Sequence, residues 1–413
     1  MTFEQIRDIA QTPPTPLSLQ QMKSFADSGN KLRLVSAAFL HKELQIRFAR
    51  AIMELSELPA GLSETEPVKL AMKVYSEELL KIHNLVPPKT AQQDLQFTEQ
   101  LRNTKSRGVN LVPLICGGLQ ELKATEHGRK ALINDSVHED IQQRLDTFFL
   151  SRIGIRMLIG QHVESLEHIG GRVELVNVEE TVKKACDRAT MLCEKFLGQA
   201  PEVEIRAAAN VSAPFMYVES HLHHMVFELV KNSMRATVEF HESSQQKKEG
   251  RLNRLNRVMN PSSRLLGFVL PDVSDISGVT IFPDIRKYGR HGKLPPVQLV
   301  LCQGHEDLTI KVSDLGGGVP RSKWNRLWYY DYTTSPSYPP KDSNHYHSFR
   351  EHFSGGGYGL PIARLFARYF GGEVTFTSLE GYGSSAFIQA HRLGTKTEMV
   401  PGHATFSLQP LYG

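Results

Sequence analysis

The chain has 413 residues, 48 of them basic and 44 acidic, for a formal charge of +4. That length exceeds one ordinary compact core and suits two domains, and a content of 40% hydrophobic and 22% charged residues excludes wholesale disorder. So balanced a charge gives no ground for a nucleic-acid partner; no stretch is apolar enough to span a bilayer; and Cys116, Cys186, Cys193 and Cys302 form no CxxC pair, so neither a zinc cluster nor a disulfide framework is expected and a reducing compartment fits.

The first residues, MTFEQIRDIA, lack the apolar core of a secretory signal, and Glu4 and Asp8 argue against an Arg-rich, acid-poor organellar presequence. From about Pro16 to Leu166 the texture is long amphipathic helices. Leu34, Phe39, Leu40, Leu44, Phe48 and Ile52 form an apolar stripe with polar residues opposite. The segments 68–82, 92–122 and 135–166 repeat this style between LPAGLSETEP, LVPPKT and the stretch 126–134, with Pro113 interrupting the second. A four-helix bundle over residues 1–170 is the simplest packing.

After Gly171 short strands alternate with helices: strands at 203–207, 297–302, 308–312, 373–378 and 385–390, helices at 178–196, 221–240 and 360–370. This predicts an α/β sandwich over 171–395. Its insertion, 241–294, is expected to begin as a mobile basic loop (ESSQQKKEGRLNRLNR), although LLGFVLPDV and GVTIFPDI are apolar enough to dock. A tail follows at 396–413, and there are no internal repeats.

Chemistry concentrates in four segments. On the helix around residue 230, His224, Glu228, Lys231, Asn232, Arg235 and Glu239 recur at helical spacing on one polar face, while Leu222, Val226, Leu229, Ser233, Ala236 and Phe240 make the face that would pack on the sheet. In SDLGGGVP, Asp314 can accept a hydrogen bond from an exocyclic amine, and Gly316 and Gly318 let backbone approach a flat ring. In SGGGYGLPIARLFARYFGG, Gly355, Gly356, Gly357 and Gly359 lead into a helix whose free N–H groups favour phosphate oxygens. In GYGSSA, Gly381 and Gly383 turn into the last strand and Ser384 can bond near a base. Singly these are a solvated stripe, a turn, a glycine cluster and a hairpin; their order is the specific signal.

That order resembles the N box and three glycine boxes of the GHKL ATPase superfamily. HMVFELVKNSMRATVE, GGGYGLPIARLFARYFGG and LEGYGSSA, together with SAAFLHKELQIRFARAI, RGVNLVPLICGGLQE and RIGIRMLIGQH in the helical half, are similar to the mitochondrial 2-oxoacid dehydrogenase kinases, the pyruvate and branched-chain types alike. The resemblance implies a helical bundle followed by a GHKL-type ATP-binding domain, a protein serine kinase that uses ATP and Mg²⁺, and a mitochondrial-matrix location. It implies the E1 subunit of a 2-oxoacid dehydrogenase complex as substrate, pyruvate dehydrogenase favoured, with the lipoyl domain of E2 and a second copy of the chain as partners. Carried over to matching positions, it makes Glu228 the base for the acceptor serine, tuned by His224. Asn232 holds Mg²⁺ on the triphosphate, Asp314 reads adenine, Lys231 offsets charge on the phosphates, and Arg235 pairs with Glu228 or a phosphate. Thr333, Thr334, Gly355, Gly356, Gly357, Tyr358, Gly359 and Leu360 complete the nucleotide-binding set. A family pocket for 2-oxoacid or dichloroacetate-like regulators makes Arg152, Arg156 and His162 candidates.

Three departures stand out: Leu315 replaces the usual Arg beside the adenine-reading Asp, Asp331 in YDYTTS replaces a usually apolar residue, and the tail has no Trp for the Asp/Trp docking pair. His41 in FLHKEL leaves a histidine kinase as one alternative, and a nucleotide-gated scaffold without phosphotransfer is another.

Overall fold

A computed structural model describes residues 1–27, 29–108, 110–166, 171–208, 211, 215–258, 293–333 and 357–403. The helical half comprises α1 (Phe3–Gln11), α2 (Leu19–Asp27), α3 (Gly29–Ser56), α4 (Glu66–Asn84), α5 (Ala91–Arg107), α6 (Leu111–Ala124), α7 (Glu126–Ile133) and α8 (Asp135–Glu164). The long helices α3, α4, α5 and α8 form the expected bundle, in which α3 and α5 each pack on all three of the others and α4 and α8 each pack on both α3 and α5. Its centre is aromatic: Phe48, Tyr75 and Phe148 meet with ring centroids 5.4 and 5.8 Å apart. The interruption expected at Pro113 in 92–122 falls instead at Gly108. There the chain breaks and restarts with Asn110 as N-cap, so Pro113 falls in the first turn of α6, where no helical N–H is needed.

The α/β half has β1 (Val173–Leu175), α9 (Val178–Leu197), β2 (Val203–Ala207), β3 (Met216–Val218), α10 (Glu219–Val258), β4 (Val297–Gln303), β5 (Asp307–Asp314), α11 (Gly359–Tyr369), β6 (Glu373–Leu379) and β7 (Gly383–His391). Five strands form a mixed sheet in the order β2-β4-β5-β7-β6, with only β2 and β4 parallel; β1 and β3 pair separately. Alternation along β4, β5 and β7 sends Leu299, Leu301, Ile310, Val312 and Ile388 into the core under the helices. All five expected strands are present within two residues, and β1 and β3, three residues each, carried too short a pattern to be read.

Two expectations change. The first half of the 241–294 segment is no loop: α10 continues to Val258, and residues 259–292 lie outside the described residues. The polar face of α3 is buried. His41, Glu43 and Arg47 are each under 7% exposed: His41 lies against Phe97 and the Leu85 carbonyl, and Glu43 and Arg47 are covered where residues 397–399 return to the helix. Thr397 bridges to Ser18, Glu398 N–H donates to the Leu17 carbonyl (2.9 Å), and Met399 N–H donates to the Tyr369 carbonyl (2.8 Å). The Glu398 carboxylate takes both Nη atoms of Arg47 at 2.6 and 3.0 Å and also meets the Tyr369 hydroxyl, while Glu43 takes Arg47 Nε at 2.8 Å.

Candidate active site

Strand β5 ends at Asp314, in register with Ser384 of β7. Its carboxylate accepts from Ser233 Oγ of α10 (2.9 Å), from Gly316 N–H (2.9 Å) and from Ser384 N–H (3.3 Å). Burial pushes Asp314 up to about 6, with those three donors holding it down. The glycines after it are steric requirements. A Cβ at Gly316 would lie 2.7 Å from the Ala236 backbone, and Gly318, at φ +67°, turns where a Cβ would strike the Leu379 carbonyl.

Helix α10 forms the floor of a cleft lined by Glu228, Asn232, Ser233 and Arg235, with Asp314 and Ser384 at one end and Gly357, Gly359 and Leu360 at the other. The sequence reading therefore brings most of its nucleotide set together. Thr333 joins the wall; Thr334, Gly355 and Gly356 lie outside the described residues. The α10 polar face is not solvated: Glu228 is 6% and Lys231 2% exposed, with Lys231 Nζ on Glu228 Oε2 at 2.6 Å. Arg235 does not pair with Glu228; its Nε is 3.7 Å from Glu239. The start of α11 presses on the same carboxylate, since a methyl group at Gly359 would run into Glu228. Tyr358, the N-cap of α11, makes no side-chain cap hydrogen bond among the described residues, and the first turn of this 11-residue helix, with Gly359 and Leu360, borders the cleft.

His224 lies one turn before Glu228, against Phe366 of α11 (ring centroids 5.1 Å). Its Nε2 has no hydrogen-bond partner among the described residues, and burial lowers its pKa, against the pull of Glu228, so the imidazole is neutral at physiological pH. The reading missed Ser233, assigned to the packing face, and the apolar walls Val319, Leu327, Tyr332, Phe376 and Ala386. These come from four separate segments, so no spacing marks them. Leu315 does not line the cleft; it is 9% exposed and borders a groove on the sheet's other side.

These features fit a nucleotide: a buried carboxylate and a hydroxyl-bearing strand end for a base, apolar walls for its ring, and an uncapped helix N-terminus for phosphates. Asn232 offers a hard oxygen ligand, which suits a Mg²⁺ bound mainly through phosphates.

In the bundle a second pocket joins Arg152 and Arg156 of α8 with Phe48, Tyr75, Ile155 and Ile159. Arg152 Nη2 donates to the Gly108 carbonyl (3.0 Å) and Arg156 Nη1 to that of Lys105 (3.2 Å), while Arg152 Nε is buried without a partner among the described residues. Burial brings Arg152 down to about 10. His162 does not join them. Ten residues from Arg152, it is turned about 80° around the helix and instead lies 3.2 Å from Asp94. His41 is also engaged, its Nε2 2.9 Å from the Leu85 carbonyl inside the bundle, which removes it as an accessible phosphoacceptor.

Residues 285–393 match the family of histidine kinase-, DNA gyrase B- and HSP90-like ATPases, and the α/β half with its cleft is accordingly an ATP-binding domain of that class. Residues 16–174 match the family described as mitochondrial branched-chain alpha-ketoacid dehydrogenase kinase. The mitochondrial pyruvate dehydrogenase (acetyl-transferring) kinase of Arabidopsis thaliana is 35% identical over 395 residues, 94% of this chain and 93% of its own. Isozyme 3 of Mus musculus is 35% identical over 412 residues, and that of Homo sapiens 34% over 413, each covering 95% of this chain and respectively 85% and 87% of the relative. The chain belongs to this family of mitochondrial 2-oxoacid dehydrogenase kinases.

Proposed function

We propose that this enzyme transfers the γ-phosphoryl group of ATP, with Mg²⁺, to a serine of the E1 subunit of the pyruvate dehydrogenase complex, inactivating it in the mitochondrial matrix. The observation that carries this is Glu228, a carboxylate held by Lys231 at 2.6 Å beside an uncapped helix N-terminus in the nucleotide cleft. The pyruvate enzyme is favoured because the Arabidopsis, mouse and human relatives are named as its kinases.

Bound Mg-ATP supplies the phosphoryl group to be transferred. Glu228 accepts the serine proton as the serine oxygen bonds to the γ-phosphorus and the bond from that phosphorus to the β–γ bridging oxygen breaks, with ADP as the leaving group, and Lys231 fixes the carboxylate that receives the proton. His224, neutral and with a free Nε2 one turn away, takes part in orienting or relaying that proton. Asn232 would hold the metal and Asp314 would accept from the adenine amine, with Ser384 N–H supporting the Asp314 carboxylate. Arg235 faces the phosphate side of the cleft together with Thr333, Gly357 and Leu360.

The helical unit, 1–170, would carry regulation and docking and the unit 171–395 catalysis. Arg152 and Arg156 suit a small carboxylate. The pocket in which Met22, Phe25, Phe39 and Leu158 face Arg33, Gln161 and His162 suits the aliphatic arm of a lipoyl domain with its polar end, and the outer sheet face, with Val300 and Leu379 exposed, suits a second copy.

The test is γ-phosphate transfer from Mg-ATP to purified pyruvate and branched-chain E1 subunits. Acid-stable phosphoserine on the pyruvate E1 is expected, falling about 10²- to 10⁴-fold in Glu228→Gln with ATP still bound, and lost with ATP binding weakened in Asn232→Ala. Transfer to neither E1 by a chain that binds ATP would leave a scaffold instead.

A further inference from the structure

The short segment Tyr329–Thr333 joins the two halves of the molecule. Tyr332 and Thr333 line the nucleotide cleft, and a Cβ at Gly357, just before α11, would lie 2.8 Å from the Tyr332 carbonyl. Asp331, immediately before them, faces the helical half with its side chain 6% exposed. Lys123 of α6 puts Nζ 2.9 Å from its Oδ2 and 2.8 Å from its backbone carbonyl. From α8, His138 Nε2 and Gln142 Nε2 reach Oδ1 at 3.2 and 3.4 Å. Its neighbours are gripped by the same helix. Tyr330 N–H donates to Gln142 Oε1 (2.9 Å), the Tyr330 hydroxyl to Asp146 (2.6 Å), and the Tyr329 ring lies 4.6 Å from that of His138.

A buried carboxylate costs several kcal/mol to desolvate and is tolerated only with well-placed partners, whereas an apolar side chain would fill the space without that demand. Burial would raise the Asp331 pKa; His138 and Lys123 reverse that and leave it lowered, so the carboxylate is charged and fully engaged. Three donors on two helices define one position for the segment, and that position is the wall of the cleft.

We propose that Asp331 is a positioning residue for the nucleotide: its grip on α6 and α8 holds Tyr332 and Thr333 against the cleft, so the helical half sets the affinity for ATP. The proposal rests on the cleft being the ATP site. It concerns binding more than chemistry, because Glu228 and Asn232 stand on α10, which the grip does not touch.

The experiment measures ATP affinity by calorimetry, phosphotransfer kinetics and Tm on the full chain for wild type, Asp331→Asn, Lys123→Met and their combination. Either single change is expected to weaken ATP about five- to tenfold, that is by about 1–1.4 kcal/mol, with kcat at saturating ATP within about twofold. The double variant should fall well short of the sum of the two single losses, because both changes remove the same Lys123–Asp331 ion pair. Charge reversal, Asp331→Lys with Lys123→Asp, should recover part of the affinity. ATP affinity unchanged in both single variants, or affinity and kcat falling together with Tm, would overturn the proposal. A wild-type chain that binds no ATP would overturn the nucleotide reading itself and this proposal with it.

Discussion

At Asp314 the demands of folding and of binding oppose one another. Its folded pKa of about 6 lies above the ordinary 3.8 because it is buried. The folded chain thus holds the Asp314 proton more tightly than the unfolded chain does, so its contribution to stability is complete below 3.8 and is lost as pH rises through about 6. An amine donor, by contrast, is best met by the carboxylate. Adenosine, which has no titrating phosphate, should therefore bind up to about tenfold more weakly at pH 5 than at pH 8, and Asp314→Asn should show no such slope; a flat wild-type profile in calorimetry would refute the assignment. Asp314 and its glycines were legible because short turns leave their mark in adjacent residues. Ser233, which donates to Asp314, was not: helical spacing placed it among packing residues, and only the approach of β5 gives it a partner. The pairing of Glu228 with Lys231 rather than Arg235 was a choice between i+3 and i+7 that spacing alone leaves open.

Helices α8 and α10 show how burial hides function at the level of elements. Residues 145 to 163 of α8 are buried almost without interruption, since the bundle covers one side and α11 with the Tyr329–Thr333 segment covers the other. A helix covered all round has no narrow stripe to read, so His162 looked like one set with Arg152 and Arg156 although the fold turns it away from them. Arg152 retains an unpartnered Nε at a site where burial has already lowered its pKa. A small carboxylate that reaches it relieves both costs. Dichloroacetate is expected to raise the Tm of the wild type and to leave that of Arg152→Met unchanged in a thermal-shift titration; an equal rise in both would place the anion elsewhere. The strands were easier to recognise, because β4, β5 and β7 each bury one face only and alternate cleanly.

For the molecule as a whole, the change of texture near residue 170 does separate helical from α/β structure, but the separation in space is incomplete. Residues 397–399 lie against the N-terminal segment, α3 and the end of α11, and there Arg47 and Glu398 share a buried bidentate pair. Glu398→Ala leaves the Arg47 charge buried beside Glu43 alone, so a loss of about 3–5 kcal/mol in denaturant unfolding is expected, and a loss under 1 kcal/mol would show the pair to be dispensable. No local pattern announces a contact spanning 351 positions. The same contact sets an order of events during synthesis. At roughly 5–20 residues per second, Arg47 emerges about 20–70 s before its partner is made, so the first half of the chain waits, with a cation at its core, for the last segment to leave the ribosome.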